Sequence, residues 1–257
     1  MLQDRNFDPL AEKFEQRIYG SKKGQLREIL LWQQMRQHIP HLETDSPLTI
    51  LDAAGGLGQM SKQLATLKHN VVLNDLSENM LDRAKQRLCC VSNIQFHHGP
   101  IQHIHELEET FDIIVCHALL EWLAEPKETV FKLLNNLKPG GHLSLAFYNR
   151  HSLVYKNALK GNTDILTEKT VKKAKRKGLT PMNPQYPETV ANWFQELGYK
   201  TLGEYGIRVI YDWLPKETLE KSNIEGLIKL ENRYNNKEPY KYTGRYFHMV
   251  VKKYKSQ

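Results

Sequence analysis

Two acids with a run of small residues between them carry the residue types and spacing that could do chemistry. Leu48-Thr49-Ile50-Leu51 is a short apolar run that ends in Asp52, and Ala53-Ala54-Gly55-Gly56-Leu57-Gly58 follows it. Met60, Leu64, Ala65 and Leu67 then recur at helical spacing. The pattern predicts a buried strand, a tight small-residue turn and an amphipathic helix. Glycines let the backbone turn sharply and bring its N–H groups close to a ligand, at the positive end of the new helix. A second apolar run, Val71-Val72-Leu73, delivers Asp75 about 20 residues past the turn, where an acid can accept hydrogen bonds from both hydroxyls of a ribose. Together the two features imply a cofactor that contains a nucleoside. The G-x-G-x-x-G spacing of a dinucleotide site is absent, which speaks against an NAD-dependent oxidoreductase. A carboxylate at the end of the first strand would repel a pyrophosphate but suits a cation such as the amino group of a methionine moiety.

The elements that must position these acids follow from the hydrophobic pattern. Strands are expected at 48–52, 70–75, 94–98, 111–117 and 142–148, with helices at 57–68, 77–88 and 127–137. Strands alternating with helices of this length mean parallel βαβ units and a doubly wound sheet. Ser77 is placed to cap the second of these helices, and Pro139-Gly140-Gly141 to end the third. A further helix over 24–38 has Leu26, Ile29, Leu30 and Met35 on one face, while Arg27 lies on another. Arg27 is either a solvated charge or a contact to a cofactor carboxylate. Ligands of such sheets bind at the carboxyl ends of strands near the switch in strand order. That rule selects His98 to Gln102, His117, and Tyr148 with Asn149. Gln102 is a candidate to hold an adenine amino group. His117 is either a buried, hydrogen-bonded histidine or a cofactor contact. His97, His98, His103 and His105 crowd one stretch, but strand alternation separates the first two and no Cys, Asp or H-E-x-x-H spacing accompanies them, so no metal is expected.

The 257 residues suffice for one α/β domain with insertions. A net charge of +7 suggests a polyanionic partner. Cys89, Cys90 and Cys116 make an odd set without C-x-x-C spacing, so neither a disulfide frame nor a zinc site is indicated. Reduced thiols, a polar stretch from Met1 to Phe14 and the lack of a bilayer-length apolar run lead us to expect a soluble, cytoplasmic protein with no membrane contact.

The last third departs from the alternation. Residues 150–187 read as an exposed insertion, in which Lys169, Lys172, Lys173, Lys175, Arg176 and Lys177 precede Pro181, Pro184 and Pro187. Such a run is either a solvated surface or, beside a cleft, a contact for a nucleic-acid backbone. Strand-like segments follow at 199–213 and 244–254, with a helical insertion at 214–240 between them, which fits an antiparallel pair at one sheet edge. Arg208 and Arg245 interrupt these strand patterns. A buried guanidinium needs an anionic partner, either a structural one such as Asp212 or Glu204, or a substrate.

Asp52-x-x-Gly55-Gly56-x-Gly58 resembles the D-x-G-x-G-x-G signature of class I S-adenosylmethionine (SAM)-dependent methyltransferases, with Ala54 in place of its first glycine. Further segments extend the likeness over nearly the whole chain. They are Gln3-Asp4-Arg5-Asn6-Phe7, Ile18-Tyr19-Gly20, Lys23-Gly24-Gln25-Leu26-Arg27, His117-Ala118-Leu119-Leu120-Glu121-Trp122, Phe147-Tyr148-Asn149, Gly206-Ile207-Arg208-Val209 and Gly244-Arg245-Tyr246. They resemble the bacterial tRNA 5-carboxymethoxyuridine methyltransferases. The resemblance implies a Rossmann-like, mostly parallel seven-stranded sheet with an antiparallel edge strand. It implies a cofactor, SAM, and a partner, tRNA bearing 5-carboxymethoxyuridine at the wobble position, whose carboxylate becomes the methyl ester. Its cofactor site would comprise Arg27, Asp52, Ala54, Gly55, Gly58, Asp75, Leu76, Ile101, Gln102 and His117. Tyr148, Arg208 and Arg245 would handle the substrate carboxylate, and the Lys169–Lys177 run would meet tRNA. Other readings are a methyltransferase of a small acid or quinol, which would have no use for the basic run, and a tRNA-binding protein that holds SAM without catalysis.

Overall fold

The computed structural model describes residues 3–10, 12, 20–162 and 181–254. Its centre is a seven-stranded sheet in the order β3-β2-β1-β4-β5-β7-β6. The strands are β1 (Thr49–Ala53), β2 (Asn70–Asp75), β3 (Ile94–His98), β4 (Phe111–His117), β5 (Leu137–Tyr148), β6 (Lys200–Ile207) and β7 (Tyr246–Lys252). β1 to β5 pair in parallel, and β7 runs antiparallel between β5 and β6. The strand order reverses between β1 and β4, which opens the ligand crevice at their carboxyl ends.

Central strands are buried on both faces, so they read as apolar runs and not as alternation. One face carries Ile50, Leu73, Ile113 and Val115, covered by helix α1 (Lys22–His38) and by α2 (Gln59–Thr66) and α3 (Glu78–Arg87). The other carries Leu51, Val72, Ile114 and Phe147, covered by α4 (Pro126–Asn135) and α6 (Pro187–Glu196). Ser21 starts α1 by accepting a hydrogen bond from the Gly24 amide, and Ser77 starts α3 by accepting from Met80. Both caps satisfy N–H groups that the first turn leaves open.

Several boundaries differ from the sequence expectations. Pro139-Gly140-Gly141 does not merely end a helix; it lies within β5. Leu137 already pairs with Phe111, the chain bulges, and pairing resumes at His142 with Ile113. Gly140 supplies the positive φ of 81° that the bulge needs. The segment expected to be exposed at 150–187 begins with helix α5 (Arg150–Leu159), and Met182, Gln185 and Pro187 at its far end are buried. There the Gln185 amide donates to the Tyr148 carbonyl at 3.0 Å and the Arg150 amide to the Gln185 carbonyl at 2.9 Å. Backbone pairing with the end of β5 therefore anchors both flanks. Lys169, Lys172, Lys173, Lys175, Arg176 and Lys177 lie outside the described residues. Helices α7 (Lys216–Lys221) and α8 (Ile224–Tyr234) occupy the stretch between β6 and β7, with Asn223 capping α8. No helix among the described residues is long and apolar enough to cross a membrane.

Candidate active site

The cradle forms where β1 turns into α2. Asp52, next to last in β1, is buried, and its Oδ2 accepts hydrogen bonds from the Ser61 amide at 3.1 Å and the Ser61 hydroxyl at 2.6 Å. Burial, reinforced by the negative charge of Asp75, raises the Asp52 carboxyl to about 6, against the pull of the two Ser61 bonds. A Cβ at Gly55 would lie 2.8 Å from Asp52 Oδ2, so only glycine lets the turn pass over the acid. Ala54 stands beside it with φ of 56°, in the left-handed region that glycine adopts freely and alanine does not. Asp75 closes the cradle from β2. Its Oδ2 accepts from the Gly56 amide at 2.9 Å and its Oδ1 from the Ser77 amide at 2.8 Å, so one carboxylate ties both turns together. Burial raises its pKa as well, opposed by those two bonds.

Three clefts meet around these residues. The first, about 800 Å³, is lined by Ala54, Gly56, Asp75, Leu76, Ile101 and Gln102 among others. A second, about 590 Å³, takes in Asp52, Ala54, Gly55 and His117. The third, about 560 Å³, holds Lys156, Tyr148, Arg208 and Arg245. Arg27 lines all three, so it is not a solvated surface charge; it also stacks 5.4 Å from the Tyr246 ring. Gly58 stands apart from the clefts' walls. Its φ of 76° starts α2, and a Cβ there would meet Leu88 and Leu73.

Gln102 has its amide nitrogen engaged by Asp4 at 2.6 Å and Thr129 at 3.2 Å. Asp4 belongs to an N-terminal segment that crosses the first cleft. The Arg5 amide donates to the Trp122 carbonyl, its guanidinium lies 5.4 Å from the Trp122 ring, and Asp8 accepts from Ser77 and Asn79. Neither periodicity nor composition marks Asp4, Arg5 or Phe7 as site residues, because their placement depends on contacts to Gln102 and Trp122 far along the chain. Glu121 escaped the sequence reading too. It is buried, its carboxyl rises to about 7 chiefly through desolvation, and its Oε2 accepts from the Tyr148 amide at 3.3 Å.

Arg208 and Arg245 are not inside strands, contrary to the pattern reading. Arg208 follows β6 with φ of 62°, and Arg245 precedes β7. Tyr246 opposes both Tyr148 and Ile207, so antiparallel pairing brings both arginines and Tyr148 to one rim. Gly206 and Gly244 permit this approach: a Cβ on Gly244 would lie 2.7 Å from Gly206 Cα. Arg245 Nε donates to Asp212 Oδ2 at 3.2 Å, and its Nη1 donates to the Tyr148 hydroxyl at 3.0 Å. Arg208 Nε lies 3.0 Å from the same Asp212 oxygen, but without hydrogen-bond alignment. Asp212 is thus the structural partner considered for both arginines, whereas Glu204 pairs with Lys241 at 3.0 Å. Buried Glu231 secures the turn, accepting from the Val209, Ile210 and Tyr211 amides. With Lys23, Arg27 and Lys156 also lining it, the third cleft gathers five cations around one carboxylate. Among the described residues no group of three or more His, Cys, Asp or Glu is arranged to hold a metal ion.

Comparison with known proteins agrees with this geometry. Residues 51–145, from β1 into β5, match the family described as Methyltransferase domain. Over its full length the chain is 42% identical to the tRNA 5-carboxymethoxyuridine methyltransferase of Escherichia coli (strain K12), covering 100% of this chain and 99% of that protein. The chain belongs to the tRNA 5-carboxymethoxyuridine methyltransferase family. A likeness to the malonyl-[acyl-carrier protein] O-methyltransferase of Halalkalibacterium halodurans is more limited, 28% identity over 58% of this chain and 57% of the relative. Among solved structures, the magnesium protoporphyrin IX methyltransferase of Synechocystis superposes with a TM-score of 0.65 at 13% identity, covering 96% of each chain. At that identity the match shows the fold alone. It is the Rossmann-like methyltransferase fold, in which this member of the family places its cradle at the switch point between β1 and β4.

Proposed function

We propose that this enzyme transfers a methyl group from SAM to the carboxylate of 5-carboxymethoxyuridine at the tRNA wobble position, yielding the methyl ester and S-adenosylhomocysteine. The observation that carries this reading is the continuity of the three clefts along Arg27, from a nucleoside cradle to a cationic pocket. The cradle fits the cofactor. Asp52 offers a buried carboxylate to its ammonium group and Asp75 to its ribose hydroxyls. Arg27 suits its carboxylate, and the Gln102 oxygen, whose amide nitrogen Asp4 and Thr129 fix in place, suits the adenine amino group. His117, Leu76 and Ile101 complete the walls. When bound, SAM supplies a sulfonium methyl group.

A substrate carboxylate with an ordinary pKa near 4 is already ionised at neutral pH, so the reaction needs no general base. What the enzyme must supply is position, which can contribute roughly 7–11 kcal/mol toward lowering the barrier. The third cleft is built for that task. Asp212 and Tyr148 lock the Arg245 side chain, while Arg208 meets Asp212 through Nε and stacks 5.6 Å from the Tyr246 ring, which leaves its outer nitrogens to grip a carboxylate. A single bidentate contact orients the group and leaves its other lone pairs facing the cofactor. Too many ion pairs would weaken the nucleophile, and Asp212 limits that by holding part of the positive charge.

The partner is tRNA in this reading, met by the Lys169–Lys177 run that the 150–187 segment carries beyond α5, and the site of action is the cytoplasm. The test is methylation of tRNA that bears 5-carboxymethoxyuridine, followed by mass spectrometry of the wobble nucleoside. Conversion to the methyl ester with purified protein and SAM is expected. Unchanged 5-carboxymethoxyuridine, or equal turnover of free small acids, would refute the assignment.

A further inference from the structure

Behind the cradle, a line of polar side chains runs through the middle of an otherwise apolar sheet. His117 Nε2 lies 2.8 Å from Ser144 Oγ, which lies 2.8 Å from His248 Nε2. His248 Nδ1 in turn lies 2.7 Å from Gln34 Oε1. The line therefore crosses β4, β5 and β7 and ends on α1. Ser144 and His248 are fully buried and Gln34 is 2% exposed, among core residues such as Val115 and Val250. Placing three polar groups there is costly unless each is hydrogen-bonded.

Each link needs one hydrogen, and the chemistry of the end group sets their order. In the observed orientation, which leaves its buried amide nitrogen unpartnered among the described residues, Gln34 presents to His248 an oxygen that can only accept, so His248 carries its hydrogen on Nδ1. Neutral His248 then has a lone pair at Nε2, which takes the Ser144 hydroxyl hydrogen. The Ser144 oxygen accepts from His117 Nε2–H, and neutral His117 is left with a bare Nδ1. Burial keeps both rings neutral by lowering their pKa values, helped at His117 by the nearby His248 and Arg27 and at His248 by His38. His117 is half-buried, lines the first two clefts, and its Nδ1 has no partner among the described residues. A lone pair there suits its surroundings. Arg27 is a cation that takes up the cofactor's carboxylate, and the ammonium group that the cradle receives can only donate. The reversed order would turn the Gln34 amide and aim an N–H at those same donors.

We propose that Gln34, His248 and Ser144 are positioning residues that hold His117 as its Nε2–H tautomer, so that Nδ1 accepts a hydrogen bond from the cofactor. The inference rests on the cradle being the SAM site. It assigns a use to three buried polar residues that substrate chemistry leaves idle.

The test uses the full chain labelled with ¹⁵N-histidine. Long-range ¹H–¹⁵N correlation reads the tautomer of each ring, and calorimetry with S-adenosylhomocysteine reads affinity. The wild-type protein should show His117 protonated at Nε2 and bare at Nδ1. Ser144→Ala breaks the line and should give mixed tautomers and a Kd raised by up to about tenfold, the worth of one hydrogen bond. Ser144→Thr keeps the hydroxyl and should restore the wild-type ring signals. A wild-type His117 that is protonated at Nδ1, or doubly protonated, overturns the inference whether or not the variants fold. So does a folded Ser144→Ala protein with unchanged tautomer and Kd. Wild-type protein that fails to bind S-adenosylhomocysteine overturns the cofactor reading instead, and the tautomer spectrum tells the two failures apart.

Discussion

Asp52 links cofactor binding to pH in a way that can be worked through. Its carboxyl moves from the ordinary 3.8 to about 6 in the folded protein, because burial and the neighbouring Asp75 charge outweigh the Ser61 bonds. That difference corresponds to roughly 3 kcal/mol between the two protonation states. The folded chain holds this proton more tightly than the unfolded chain does. The associated stability is therefore fully present below about pH 4 and is lost as the pH rises through about 6. Near neutral pH the empty cradle is strained, and a bound ammonium group relieves that strain by pairing with the ionised acid. Affinity for S-adenosylhomocysteine should be nearly constant above pH 7 and about tenfold weaker at pH 5, where only about a tenth of Asp52 is ionised. Calorimetry from pH 5 to 8 measures the slope, with circular dichroism confirming the fold at each pH. Asp75 and Glu121 also titrate at raised values, so the Asp52→Asn variant isolates the contribution of this one group. That variant should bind weakly at every pH without the Asp52 slope, while its cofactor-free form resists urea better at pH 7 to 8. A wild-type Kd that is flat from pH 5 to 7, or a slope that persists in Asp52→Asn, would show that the acid does not meet a cation.

Asp75→Ala removes a charged acceptor and two backbone bonds at once; calorimetry should show cofactor affinity reduced by about 1.5–3 kcal/mol. Arg208→Lys keeps the charge but loses the planar fork, so single-turnover methylation of tRNA at saturating SAM should fall about 10- to 100-fold with cofactor affinity unchanged. Arg245→Lys should fall similarly because it also frees Tyr148, and wild-type rates in both variants would place carboxylate recognition elsewhere. Gly244→Ala forces a Cβ to 2.7 Å from the Gly206 backbone and should lower unfolding stability by about 1–3 kcal/mol, read as a shifted urea midpoint. Neutralising Lys172, Lys173 and Arg176 should raise KM for tRNA and flatten its salt dependence while SAM binding stays as it was. Unaltered tRNA kinetics across salt concentrations would make the run a solvated surface.

The sequence by itself determined the frame of the cradle. Asp52, the small-residue turn and Asp75 are local features: a strand, a tight turn and a helix follow from neighbouring residues, and the parallel sheet follows from their repetition. Helix α1 was legible for the same reason. Whether Arg27 faced water or the cleft was not, because that depends on which face of α1 meets β7, a contact between residues far apart in the chain. The arginine pocket shows the limit most plainly. Arg208 and Arg245 looked like intruders in strands, yet they flank strand ends that antiparallel pairing brings together. Only the register of Tyr246 against Tyr148 and Ile207 decides that they share Asp212. The Gln34–His248–Ser144–His117 line was invisible for a related reason. Its four members come from four elements, each of which reads locally as an ordinary amphipathic or apolar segment. Local pattern reports the interactions a residue makes within one turn or one strand, and a hydrogen bond between distant segments exists only once packing has set their distance and removed competing water.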